Sequence, residues 1–177
     1  ALQPAILPNL NDKLEEETLQ WYTKDHFYPV QIGEIFHPGY KATEGITPYG
    51  SVGIQADSYR EDAYVTLKMC ERNSGPGERE KGIYDHLRSI KSSHIGSTLV
   101  RRALDDFQLR SADNEHSYQC LVHPPLGMSL HELMNRAKGK HLPAELVKPA
   151  VLHVLFALDF LHTETGVVHT GMVFDCS

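Results

Sequence analysis

Residues 142–177, LPAELVKPAVLHVLFALDFLHTETGVVHTGMVFDCS, carry a long periodic apolar pattern. Leu146, Val147, Val151, Val154, Leu155, Leu158 and Leu161 recur at threes and fours, which places them on one broad face of a helix. Pro143 suits the first turn, where its missing N–H costs nothing. Pro149 falls early enough to kink the helix rather than end it. Gly166 then supplies a stop, and Val167 and Val168 begin something extended. Periodicity by itself describes a core helix of an ordinary domain.

The end of the stretch says more. LDFLHTETGVVHTG, residues 158–171, resembles the segment of a eukaryotic protein kinase that runs from the long helix of the large lobe into the catalytic loop. The variant H-T-D-[IL] is typical of the SR-protein-specific kinases and their fungal relatives. His169 and Thr170 match it, and Gly171 stands where the catalytic aspartate belongs. Far upstream, EEETLQWYTKDHFYPVQIGEIF (residues 15–36) is similar to the opening of the same group, E-E-E-x-x-x-Y…Y-P-V-x-I-G-E. Physically this is an acidic turn followed by an aromatic segment, with Trp21, Tyr22, Phe27, Tyr28 and Val30 available to anchor it on the body.

Between these ends the chain has a β character from Tyr40 to Cys70. Tyr64, Thr66 and Lys68 alternate with Val65, Leu67 and Met69, the two-residue period of a strand. A lysine there is ordinarily a solvated edge residue. The resemblance makes YVTLK the counterpart of V-A-I-K, so that Lys68 would hold the nucleotide phosphates and pair with a helix glutamate. The best match to a phosphate-covering glycine loop is PYGSVG, with Pro48 at the first glycine position, Gly50 at the second, and Gly53 following. Proline lacks the N–H and the freedom of φ that the first position needs, which implies a degraded loop.

After the turn Ser74–Gly77 comes a predicted helix over residues 78–90, with Ile83, Leu87 and Ile90 as its buried edge. EREKGIYDHL resembles the family's E-x-x-x-Y-x-x-L, which nominates Glu80 as the partner of Lys68, with Glu78 as runner-up. Either could instead be a charge on a solvated face. Residues 99–122 are predicted to form two strands around the turn SADNEH. The resemblance then puts His123 at the gatekeeper position and Pro124, Pro125, Leu126 and Gly127 in the hinge. There the Pro124 carbonyl and the Leu126 N–H would meet adenine. Without the resemblance, Pro-Pro and Gly suit a plain linker. A short amphipathic helix over residues 130–138 follows.

The expected architecture is α+β: a protein-kinase-like small lobe, made of an antiparallel sheet and one helix, followed by the first helices of the large lobe and cut short at the catalytic loop. Its parts would be an irregular arm (1–14), the small lobe (15–122), the hinge (123–127) and a partial large lobe (128–177).

Composition agrees with a globular chain: 177 residues, 41% hydrophobic and 23% charged. A net charge of −6 argues against nucleic acid and leaves no basic patch for a membrane surface. No apolar run reaches the roughly twenty residues a membrane span requires. Cys70, Cys120 and Cys176 are odd in number and widely spaced, which suits a reducing intracellular compartment, cytoplasm or nucleus. The 11 histidines show no metal-ligand spacing. The first residue is Ala1.

Phosphoryl transfer is mostly positioning and charge neutralisation. The family pattern H-T-D-[IL]-x-x-x-N places its base and a magnesium ligand at Gly171 and Cys176, neither of which can serve. No D-F-G occurs in the sequence. The expectation is therefore an inactive, pseudokinase-like module with weak or no ATP binding and no magnesium site. It would act through a protein partner or a second copy along the apolar face from Leu146 to Leu161. The alternative is a fragment of an active ATP-dependent serine/threonine kinase of the SR-protein type. A blander option is a truncated gene product with no selected activity.

Overall fold

The structure is a computed structural model that describes residues 26–36, 39–46, 51–56, 64–73 and 75–169. Its elements are β1 (Ile35–Phe36), β2 (Tyr40–Ile46), β3 (Ser51–Ala56), β4 (Tyr64–Arg72), α1 (Gly75–Ser89), β5 (Asp105–Arg110), β6 (Ser117–His123), α2 (Leu130–Arg136) and α3 (Ala144–Asp159). A 3-10 turn at Ile95–Thr98 precedes β5, and a π-helical turn at Phe160–Thr165 closes α3. The arm at 1–14, Trp21, Tyr22, Pro48, Gly50, Thr170, Gly171 and Cys176 lie outside the described residues.

The strands form one 6-stranded sheet in the order β1-β2-β3-β4-β6-β5, antiparallel throughout. Sequence alternation in β4 works as anticipated, because Val65, Leu67 and Met69 are buried while Tyr64 faces out. With Phe36, Phe107, Cys120 and Val122 they make the core on one face of the sheet. Tyr28 and Val30 of the incoming segment pack on that core, as their aromatic and branched side chains suggested. The Tyr28 hydroxyl donates to Glu34 at 2.6 Å, and burial together with that carboxylate pushes its pKa up to about 12.

Helix α1 covers the other face and differs from expectation in its start and at one position of its inner edge. It begins at Gly75 rather than at residue 78, and Ile83 is 43% exposed. The inward stripe is Gly77, Glu80, Tyr84 and Leu87, a spacing of three and four; Leu87 is buried and Ile90 packs beside it as expected, and only Ile83 gives way, to its neighbour Tyr84. Glu80 can take an inward position because Lys68 neutralises it, and Tyr84 because its ring meets His123 edge to face with centroids 5.1 Å apart. Outside, Lys81 bridges Asp85 at 2.6 Å and Asp106 of β5 at 3.1 Å.

The segment before β5 is also corrected. Residues 99–104 are not strand, and β5 starts only at Asp105. The cause is the 3-10 turn, which lies against α3: a Cβ on Gly96 would stand 2.0 Å from the Phe156 carbonyl oxygen. Only glycine permits that approach. His94 caps the turn, its Nδ1 accepting from the Gly96 N–H at 3.0 Å while Nε2 reaches Asp159 at 3.1 Å.

Helix α2 stops at Arg136, short of the expected end at 138, where Gly139 (φ 83°) and Lys140 (φ 54°) turn the chain. Ser129 caps its start by accepting from the Glu132 N–H at 3.1 Å. Helix α3 runs through Pro149, which only forfeits the bond to the Glu145 carbonyl. Gly166 ends the helical run in the left-handed region at φ 68°, with the Val167 N–H returning to the Leu161 carbonyl at 2.9 Å. Val167 and Val168 are extended coil rather than strand. Phe160 and Leu161 bury against Leu87 of α1, with Tyr84, Ile90, Val100 and Val167 around them. No helix among the described residues is long and apolar enough to cross a membrane.

These contacts set opposite outcomes for two glycine substitutions. Gly96→Ala is expected to lower unfolding stability by about 1–3 kcal/mol through overpacking against α3. Gly82→Ala, with nothing within 4 Å of the added Cβ, is expected to raise it by about 0.5–1 kcal/mol as a helix-interior replacement. Urea denaturation of the two variants beside the parent chain measures both.

Candidate functional site

Strand β4 and helix α1 bring Lys68 and Glu80 together. The Lys68 ammonium donates to both oxygens of the Glu80 carboxylate, at 2.8 and 2.7 Å. Glu80, and not Glu78, is therefore the carboxylate that meets the lysine. Lys68 is held in register by its neighbours, Ser51 on β3 and Leu121 on β6. Both side chains remain partly open, 42% and 30% exposed, so water screens the pair and a further anion can still reach the ammonium. Cys70 lies near the pair, and burial first, then the Glu80 charge, keep its thiol protonated above the usual range.

At the end of β6, His123 is 1% exposed and faces Thr66 across the ladder. Its Nδ1 lies 3.4 Å from the Arg102 carbonyl. Burial lowers its pKa, and the Arg101 guanidinium lowers it further, so the ring is held neutral. Tyr84 responds in the opposite sense, its phenol pushed up by burial and by Glu80.

The chain from Pro124 to Ser129 has no regular structure and is exposed, as a linker should be. The Pro124 carbonyl accepts from Arg101 Nη2 at 3.0 Å, and Leu126 is 69% exposed. Arg101 is the residue that sequence reasoning passed over. It lies in a stretch whose local pattern reads as strand, and nothing in that pattern signals that it turns back onto the linker. Its contact occupies one of the two lone pairs of the carbonyl assigned to adenine. His169 lies beside Val167 and Val168 on the rim of a cavity between α1 and the end of α3. The structure thus places Lys68, Glu80, His123, Pro124 and Leu126 along one path through β4, α1, β6 and the linker, while Gly50, Thr170 and Gly171 lie outside the described residues.

Comparison with known proteins now defines the class. The fold matches a crystal structure of a kinase domain with a TM-score of 0.54 at 20% identity, covering 78% of this chain and 39% of that one. No family model matches. A serine/threonine protein kinase of Aspergillus fumigatus is 35% identical over 160 residues, which are 89% of this chain and 40% of that protein. The serine/threonine-protein kinase SRPK of Physarum polycephalum is 27% identical across 89% of this chain and 37% of its own length. SRSF protein kinase 3 of Mus musculus is 29% identical across 96% of this chain and 31% of its own length. The chain is a homologue of serine/threonine protein kinases, fungal kinases and SRSF protein kinases among them. It spans less than half the length of these relatives.

The buried neutral His123 has a pH signature. Its folded pKa is depressed below the ordinary 6.5, so the unfolded chain binds the proton more readily. The corresponding stability is present above about pH 6.5 and is lost as pH falls towards the folded pKa. His123→Leu should flatten that part of the profile. Urea midpoints of the parent and the variant, taken from pH 8 to pH 5, should show a difference that grows on acidification in favour of the variant.

Proposed function

We propose that this chain is a kinase-like module that does not itself transfer phosphate, binds ATP weakly or not at all, and works by associating with a protein. The observation that carries this reading is Gly171 in the motif H-T-G, where the resemblance requires a carboxylate. Glycine offers no group to orient a hydroxyl or accept its proton, a contribution worth roughly 10²–10⁴-fold in rate. Cys176, at the position of a metal-binding amide, is a poor ligand for a hard cation such as magnesium. The residues therefore fit a bound magnesium poorly. They fit the nucleotide better, since Lys68 has an N–H left over from Glu80 and the Leu126 N–H lies in the exposed linker.

Association is supported by the surface of α3. Leu146, Val147, Val151, Leu152 and Leu155 are 40–56% exposed on that helix, and none of its residues is buried among the described ones. Apolar surface of this kind is uncommon on an isolated monomer and marks a contact face.

A second reading, a piece of an active serine/threonine kinase, is favoured by the formed Lys68–Glu80 pair and by the activity in the relatives' names. Thermal-shift titration with ATP, with and without magnesium, separates the two. The first reading expects a small shift that magnesium does not enlarge, together with no transfer of labelled phosphate to an arginine–serine peptide. Submicromolar, magnesium-dependent binding that Lys68→Ala abolishes would establish the second.

The contact face has its own test. Light scattering across a concentration series is expected to show association by the parent chain and its loss in Leu155→Asp. A parent chain that stays monomeric at high concentration, with Leu155→Asp unchanged in solubility, would mean that α3 is covered from within.

A further inference from the structure

Between the segment that precedes β5 and the linker lies a cavity of about 630 Å³, bordered by Leu99, Val100, Arg101, Pro124 and Leu126. Its volume falls within the range of sites that hold small molecules, and its aliphatic side chains suit the faces of a flat ring. Arg101 also borders the cavity between α1 and the end of α3, but its guanidinium is fixed on the linker side. Its Nη2 donates to the Pro124 carbonyl at 3.0 Å, and of the two cavities Pro124 borders only this one.

This contact changes what the linker offers a ligand. Pro124 and Pro125 lack an N–H, so Leu126 supplies the first backbone donor after His123. The Pro124 carbonyl already accepts a charge-assisted bond from Arg101. A second N–H approaching that oxygen would meet the positive guanidinium beside it. Arg101 makes no ion pair among the described residues, and there its Nη1 and the second N–H of Nη2 are uncommitted. The linker therefore presents donors at a place where its bare carbonyl would present an acceptor.

Purine bases divide on this point. Adenine carries an amino group, a donor, beside its N7, whereas guanine and hypoxanthine carry the acceptor O6 there. A guanidinium fork reads O6 and N7 together through two N–H bonds. We infer that Arg101 sets the base preference of the linker cavity, turning an adenine amino group away from the Pro124 carbonyl and taking a 6-oxopurine on its uncommitted N–H groups. The inference rests on the proposed function, in which ATP binds weakly or not at all, and it supplies a cause for that weakness.

Isothermal titration calorimetry with ADP and with inosine 5′-diphosphate, both without magnesium, tests it, because the two ligands differ only in the six-membered ring of the base. The parent chain is expected to bind the inosine nucleotide at least about fivefold more tightly than ADP. Arg101→Leu should remove that preference and, by freeing the carbonyl, tighten ADP binding relative to the parent. Arg101→Lys keeps the charge without the fork and should retain only part of the preference. Circular dichroism establishes that each variant is folded, and Arg101→Lys carries the comparison where Arg101→Leu is not. Equal affinities in the parent, a preference for ADP, or a preference that the Arg101 variants leave unchanged would overturn the inference. So would the binding of neither nucleotide, an outcome that leaves the inactive-module reading standing. Submicromolar, magnesium-dependent ATP binding would instead sink that reading, and the comparison of ADP with the inosine nucleotide would still decide the role of Arg101.

Discussion

The contact of Leu87 with Phe160 and Leu161 is the joint on which the rest of the structure depends. It is the place where the helix lying on the sheet meets the turn that closes α3. Phe160 is 0% exposed and Leu87 3%, so the joint is dry, and burial of such side chains contributes about 1.5–3 kcal/mol each. His86 adds a polar tie, its Nε2 lying 2.9 Å from the Thr165 carbonyl at the end of the π-helical turn. Arg102 adds another by donating to the Leu87 carbonyl at 3.3 Å. Together they fix the rotation and height of α1.

The Lys68–Glu80 pair follows from that placement rather than causing it. Half-exposed ion pairs contribute on the order of 0–1 kcal/mol, too little to hold a 15-residue helix against a sheet. Apolar contact on the inner stripe positions α1, and the stripe's spacing then delivers Glu80 to the ammonium. An intact pair is accordingly weak support for catalysis. It shows that the apolar joint is formed, and the chemistry at residue 171 is a separate matter.

The same division applies to the resemblance. Relatives named as serine/threonine kinases, and a kinase-domain fold, account for the sheet, α1, the linker and α3. They do not account for Arg101 on the linker carbonyl, for Pro48 in the glycine-loop match, or for Gly171. All three lie at or against positions that the resemblance assigns to phosphate and adenine, whereas the apolar packing follows the kinase-domain fold.

Much of this was legible in the sequence because it is local. Alternation in residues 64–69 determined both the strand and the side of it that carries Lys68. The spacing of Leu146 to Leu161 determined α3, and Gly166 its end, since only a residue at ease at positive φ closes a helix in that way. His169, Thr170 and Gly171 were legible only as a resemblance to the family's catalytic-loop pattern, with glycine in the aspartate's place. Tertiary structure decided what local rules cannot express. On the inner edge of α1, Tyr84 takes the place expected of Ile83 because His123 meets its ring, and Glu80 lies inward because Lys68 satisfies it, both partners being distant in sequence. Residues 99–104 left the sheet because Gly96 packs against the backbone of α3 at Phe156. Arg101 turned to the linker because that path placed it within 3.0 Å of the Pro124 carbonyl. In each case a partner far along the chain outweighed a local preference of a few tenths of a kcal/mol, about the scale of intrinsic propensities.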